Sequence, residues 1–431
     1  MPTVDLSVHH VTRVEGHGTI RVRASDGKIE RVEWRVPEAP RFFEAMVRGR
    51  SYEDIQTIVS RICGICSVTH SLAAIKAVED ALGIAVSKQT DTLRIVMHYA
   101  EQIESHALHV GYLVAPDLLG QKSVVPLVAS HPEVVKTVIG LHKLGNGGME
   151  LIGGRMTHPV TVKPGGFAQL PKESQLKDYK KGLEKGLALV DALADVVLSL
   201  AGKLPDFKRE TEYVALTTDD YYTFYHGDIA STDVKETTDI HRFESVVNEY
   251  VTSQSTAKWC KWHRDSYAVG ALARFNVNHD LLLPRAKAVA KKFGLAPGAC
   301  NPYLNNVAQV VELAQVVEHS IELIDRLLSD GIKPETPKAA PKAGEGVGCV
   351  EAPRGILFHR YAFDAKGGCT AANICIPTGQ NHANIQKDFE AFVPKIIDRP
   401  QEEIRLLLEM LVRSYDPCIS CSAHYLQVEF V

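Results

Sequence analysis

The sequence lacks any apolar run long enough to cross a bilayer. Its most apolar stretch, Leu187–Ala201, is broken by Asp191 and Asp195, whereas a spanning helix needs roughly 20 apolar residues. Met1–His10 has no signal-peptide core. No Lys/Arg block stands out, and 48 basic against 52 acidic residues leave a formal charge of -4. That excludes nucleic acid or an anionic membrane as the main partner. There is no internal repeat and no Gly-x-Gly-x-x-Gly nucleotide fingerprint. Cysteine is sparse and odd in number, nine in 431 residues. A chain this large does not need disulfide staples, so reduced thiols in a cytoplasmic setting are expected.

What remains is an ordinary globular composition, 45% hydrophobic and 23% charged. Residues 18–36 alternate apolar and polar around Asp26-Gly27 and predict a β-hairpin. Apolar residues at helical spacing predict helices over 67–82, 90–113 (stopped by Pro116), 173–204, 279–293, 305–328 and 400–412. Ile332–Gly346 is the one Pro/Lys/Gly-rich segment and reads as a surface connection into a strand-rich region at 348–377. The expected fold class is α+β, predominantly helical: a core of long bundled helices, with small β-elements at the N-terminus and near 348–377.

Two Cys-x-x-Cys pairs, Cys63/Cys66 and Cys418/Cys421, lie near opposite ends of the chain. Four thiolates at that local spacing can chelate one metal or a metal pair. A zinc clamp joining the ends and a redox dithiol are the other chemistries such pairs allow. The other cysteines, Cys260, Cys300, Cys349, Cys369 and Cys375, have no paired spacing and read as small buried hydrophobes. Around the pairs stand polar groups that a structural zinc would not need. They are Glu15 and His17 within Arg13–Gly18, His70 beyond Cys66, Arg354 in Glu351–Gly355, and Asp416 and His424 bracketing the last pair.

Taken in order, Arg-Val-Glu-Gly-His at 13–17, Arg-Ile-Cys-Gly-Ile-Cys-x-x-x-His at 61–70, Ala-Pro-Arg-Gly at 352–355 and Asp-Pro-Cys-x-x-Cys-x-x-His at 416–424 resemble the large subunit of nickel-iron hydrogenases. Gly-Gly-Arg-x-x-His-Pro at 153–159 and Gly-Ala-Leu-Ala-Arg at 270–274 extend the likeness along nearly the whole chain. The compact length and the last motif are most similar to the cytoplasmic, multi-subunit branch that exchanges electrons with NAD(P). The resemblance implies one large-subunit domain over residues 1–431 and reversible heterolytic cleavage of H2 at a Ni-Fe(CO)(CN)2 centre.

Carried over by motif position, Cys63 and Cys418 are terminal nickel ligands, and Cys66 and Cys421 bridge nickel to iron. Soft thiolates suit both metals. The resemblance makes Cys418 the base that takes the proton and Glu15 its next acceptor. Arg354, after Pro353, would overhang the open side of the metals, where a fixed guanidinium polarises H2 and binds a cyanide. Thr378, after Pro377, matches the hydroxyl that binds the other cyanide. Glu44, His424 and the carbonyl of Ile374 match the protein ligands of a Mg2+ or similar divalent ion.

Two departures from the family pattern stand out. Relatives carry a carboxylate in a His-Asp-His sequence where this chain reads Glu104-Ser105-His106, which leaves Asp416 as the partner of Arg354. Relatives are also trimmed after the motif histidine, whereas Tyr425–Val431 follow it here. Either this is the precursor, a substrate for a maturation protease and nickel-insertion factors, or trimming does not occur. The implied partners are an iron-sulfur small subunit and flavin/iron-sulfur subunits that reach NAD(P). The alternatives are a zinc-stabilised scaffold and a non-catalytic quinone-site relative of respiratory NADH dehydrogenase; relatives of the latter kind lack the four cysteines.

Overall fold

The computed structural model describes residues 4–25 and 28–423. Four long helices, Lys88–Leu108, Pro132–Gly153, Glu173–Leu200 and Asn305–Asp330, form a ring in which each packs on two others. Helical periodicity drives this: Leu176, Leu183, Val190 and Val197 lie along one buried stripe of the Glu173 helix. Burying such side chains contributes about 25 cal/mol per Å2 of apolar surface. Ser87 caps the Lys88 helix by accepting the Thr90 N–H, and Pro132 opens its neighbour, where a missing N–H costs nothing.

The helix Ser67–Leu82 packs instead on an antiparallel sheet of Gly344–Ala352, Gly355–Phe363 and Cys369–Cys375. Gly344, Gly346 and Gly348 fall on one face of their strand, because side chains alternate. Their missing Cβ atoms admit the helix backbone; a Cβ at 348 would stand 1.9 Å from the carbonyl oxygen of Ala73. This contact carries Cys66, at the start of the helix, onto the sheet that ends beside Arg354.

The expected α+β, mainly helical fold is what the chain adopts, with differences in detail. The 67–82, 173–204 and 305–328 periodicities correspond to helices within a few residues. The 90–113 pattern becomes an α-helix to Leu108 followed by a π-helical turn, His109–Val114. Pro116 then lies in the first turn of the short helix Ala115–Leu118 instead of ending one. Besides several short ones, two long helices were not expected. Pro132–Gly153 is hidden by its glycines, and Pro377–Ile396 begins where the strand-rich region was expected to end.

β-Structure also extends beyond the two expected places. Glu212–Thr217, Asp228–Ser231 and Tyr267–Ala268 form a further sheet, and two short hairpins occur at 162–167 and 250–259. At the N-terminus Thr19–Ser25 and Lys28–Arg35 pair as a hairpin and Val4–Val8 adds a third strand; the Asp26-Gly27 turn lies outside the described residues. Gly344–Gly346, read as part of the connection, already pair with Phe363–Tyr361. Cys260, Cys349, Cys369 and Cys375 are buried as expected, and Cys300 is half-buried. No helix among the described residues is long and apolar enough to cross a membrane.

Candidate metal centre

Two segments far apart in the sequence, at residues 15–16 and 418–421, meet side by side. Glu15 and Cys418 form a parallel bridge, Ile419 donates its N–H to the Glu15 carbonyl at 3.0 Å, and Ser420 donates its N–H to Glu15 Oε2 at 3.1 Å. Gly16 makes this approach possible: its φ is +83°, and a Cβ there would stand 2.7 Å from the Ser420 nitrogen. Arg41 also binds the Ser420 carbonyl through its side chain and the Ala423 carbonyl through its N–H.

The result is a cluster of four buried thiols, Cys63, Cys66, Cys418 and Cys421, whose sulfurs all lie within 4.8 Å of one another. Cys63 Sγ is 3.5 Å from Cys418 Sγ, and Cys418 Sγ is 2.6 Å from Cys421 Sγ. The Cys63 thiol is held well below the usual range because Cys418, then Cys421 and Cys66, donate to it. Cys418 is pushed up by its hydrogen bond with Cys421 and then by Cys63. Four soft donors sharing so little space fit a soft cation, which would take the place of the thiol protons.

Over this cluster stands Arg354, 3% exposed, with Nη2 donating to Asp416 Oδ1 at 3.1 Å. Burial opposes its charge, and Asp416, then Cys418, Cys66 and Cys63, more than offset that. Its Nε and Nη1 are buried without a hydrogen-bond partner among the described residues. Buried donors are rarely left so, and two of them on a guanidinium that feels three of the four thiols are what an anionic or metal-bound group would satisfy. The residues present therefore fit a thiolate-held metal centre with a polar ligand under Arg354.

Asp416, with φ +48°, is also held by Gln309 Nε2 at 3.1 Å, while His109 Nδ1 is 2.5 Å from Gln309 Oε1 and its Nε2 2.7 Å from the Arg413 carbonyl. Arg413 and Arg13 both pair with Asp117. Sequence reasoning missed Gln309, His109 and Arg413. Gln309 and His109 lie on helices read only for their apolar stripes, and the π-helical turn that begins at His109 had no visible signal.

The other expected site residues divide. Thr378, in the first turn of the Pro377 helix, accepts the Cys418 N–H at 2.9 Å and so adjoins the cluster. Pro353 gives its carbonyl to Arg274. His70 is 3.1 Å from His359, which is 2.6 Å from the Tyr361 hydroxyl; burial pushes His70 down to about 4. Glu44 is buried and pushed up to about 7 by burial, and it accepts the N–H of Ile374 at 2.8 Å. It is thus the amide of Ile374 that faces Glu44. His424 and Tyr425–Val431 lie outside the described residues. Ser105 is buried, and its hydroxyl has no hydrogen-bond partner among the described residues.

Comparison with known proteins agrees with this geometry. Sulfhydrogenase 1 subunit alpha of Pyrococcus furiosus is 33% identical over 429 residues, covering 98% of each chain. The NAD-reducing hydrogenase HoxS subunit beta of Cupriavidus necator is 29% identical, over 98% of this chain and 95% of its own. Among solved structures, an NAD+-reducing nickel-iron hydrogenase in the H2-reduced state superposes with a TM-score of 0.89 at 26% identity, covering 98% of this chain and 100% of its own. The family described as nickel-dependent hydrogenase matches residues 41–138 and 206–424. Since those segments hold both cysteine pairs and Arg354, the chain belongs to the nickel-dependent hydrogenase family and is a catalytic subunit of that kind.

Proposed function

We propose that the chain, as one catalytic unit over its whole length, interconverts H2 with protons and electrons at a Ni-Fe(CO)(CN)2 centre. Cys63, Cys66, Cys418 and Cys421 would hold the nickel and iron through their sulfurs. The observation that carries this reading is the convergence of four buried thiols beneath a buried arginine whose Nε and Nη1 have no partner among the described residues. When bound, such a centre would supply a metal pair at which H2 is polarised and split.

The chain's own residues then have defined tasks. Cys418 Sγ takes the proton, and Glu15, whose backbone is paired with Cys418, receives it next. Arg354, fixed by Asp416, directs Nε and Nη1 at the centre as permanent donors. Pro353 and Pro377 shape the pocket around it. The Thr378 hydroxyl accepts from the Cys418 amide, which leaves its own proton to donate to a cyanide. Glu44, Ile374 and His424 would hold a Mg2+ ion apart from the chemistry.

Electrons would leave through an iron-sulfur small subunit and flavin/iron-sulfur subunits to NAD(P). This rests on the NAD-reducing relative and the NAD+-reducing structural neighbour. Free thiols throughout the described residues suit a cytoplasmic enzyme. Maturation by nickel-insertion factors and a protease acting after His424 completes the reading. The test is a pair of variants in the assembled enzyme. Arg354→Lys should keep the metals but cut H2 turnover by about 10² to 10³-fold, whereas Glu15→Gln should chiefly slow exchange between H2 and solvent deuterium. Normal behaviour of both variants would sink these assignments.

A further inference from the structure

Arg274, on the helix Ala271–Asn278, is fully buried. A guanidinium has five N–H donors in a fixed fork, and here each has an acceptor. Nε and Nη2 grip Glu312 at 2.6 and 2.7 Å, and Nη1 meets Glu351 Oε2 at 2.9 Å. The remaining two donors reach the backbone carbonyls of Ala352 at 2.9 Å and Pro353 at 3.0 Å, the two residues that precede Arg354. The cluster is anchored in turn. Glu312 also binds His106 at 2.8 Å and the Tyr222 hydroxyl at 2.7 Å, and Glu351 accepts the Leu216 N–H at 2.8 Å.

The same short element meets Arg354 from other directions. Gly270 has φ +118°, and a Cβ there would lie 3.3 Å from the Arg354 carbonyl oxygen; a Cβ at Gly355 would lie 2.4 Å from Val269. Asn305 accepts the Leu272 N–H at 2.9 Å and donates to the Ser414 carbonyl at 2.7 Å, which ties the helix start to the segment that carries Asp416. Among the described residues the Arg354 side chain itself has one hydrogen-bonded anchor, Asp416. With serine at 105, its direction depends on how the backbone at 352–355 is held.

We infer that Arg274 is a positioning residue for Arg354: by clamping the Ala352 and Pro353 carbonyls against Glu312 and Glu351, it aims the Arg354 guanidinium at the thiol cluster. This rests on the reading of Arg354 given above. A plain structural ion pair would be complete with the two carboxylates alone; the two carbonyl contacts are what turn it on the loop. Lysine keeps the charge but has no planar fork, so Arg274→Lys releases the loop while leaving the buried carboxylates compensated.

The experiment compares Arg274→Lys, Arg354→Lys and the double variant in the assembled enzyme, by nickel content, turnover per nickel and the cyanide infrared bands. Arg274→Lys should retain nickel, lose about 10-fold or more in turnover, as a misplaced group does, and shift the cyanide bands in the direction seen for Arg354→Lys. The double variant should be no slower than Arg354→Lys alone. If Arg274→Lys does not assemble, Glu312→Gln, which loosens the same fork, should give the same band shift. Unchanged bands and turnover per nickel, or losses that multiply in the double variant, overturn the inference while Arg354→Lys remains impaired. An unimpaired Arg354→Lys instead overturns the reading beneath it.

Discussion

Asp416→Asn removes the charge of one group at the centre. Asp416 has φ +48°, and asparagine tolerates that left-handed backbone as well as any residue with a side chain. The substitution keeps size, shape and turn, removes the negative charge facing Arg354, and turns one of the two oxygens that accept from Arg354 and Gln309 into a donor. The two side chains are 3% and 2% exposed, and their atoms are 3.1 Å apart. Unit charges at that distance attract by about 5 kcal/mol at an effective dielectric of about 20, and breaking one side of a buried pair typically costs about 3–5 kcal/mol. The thiol cluster adds some compensation for Arg354, which puts the expectation near the lower figure. Urea unfolding of the metal-loaded enzyme, with turnover per nickel measured on the same samples, checks it. A loss of stability below about 1 kcal/mol with turnover intact would show that Asp416 does not hold Arg354, and the electrostatic account of the centre would fail.

Gly348→Ala should drive a methyl group into the Ala73 carbonyl 1.9 Å away. The expected result is a large drop in soluble, nickel-loaded enzyme, because the helix that starts beside Cys66 is displaced; normal nickel loading would contradict the packing. Burial pushes His98 and His382 down to about 3 and His319 to about 4. Their folded values lie below the unfolded value of about 6.5, so below it the unfolded chain binds more protons at these sites; Glu44, Glu101 and Glu351, pushed up by burial to about 7, 8 and 7, work the other way down to about pH 4.5, so the net loss of stability should fall mainly between about pH 4.5 and 3. Thermal unfolding across that range tests this, and a flat profile would refute it.

The parts of the molecule legible in the sequence are those set by local periodicity or by motif. The Ser67, Glu173 and Asn305 helices could be read because apolar residues repeat every three to four positions along them. The Pro132 helix escaped because Gly140, Gly145, Gly147 and Gly148 interrupt that repeat; Gly145 and Gly148 are spaces into which the Lys88 helix and Tyr179 fit. The thiols, Arg354 and Asp416 stood out as residue types in recognisable order. Their supports did not, since Gln309, His109, Glu312 and Arg274 act through contacts spanning tens to hundreds of residues in sequence. Arg274 was seen as part of a motif without a task, and only the folded chain shows its fork on the carbonyls before Arg354.

The most direct test of the central claim is the nickel content of the purified enzyme, assembled with its partner subunits, in the natural chain and with Cys63→Ser. The account predicts nickel equimolar with this chain, lost when that thiol is removed. Zinc in place of nickel, or nickel retained without Cys63, would contradict it.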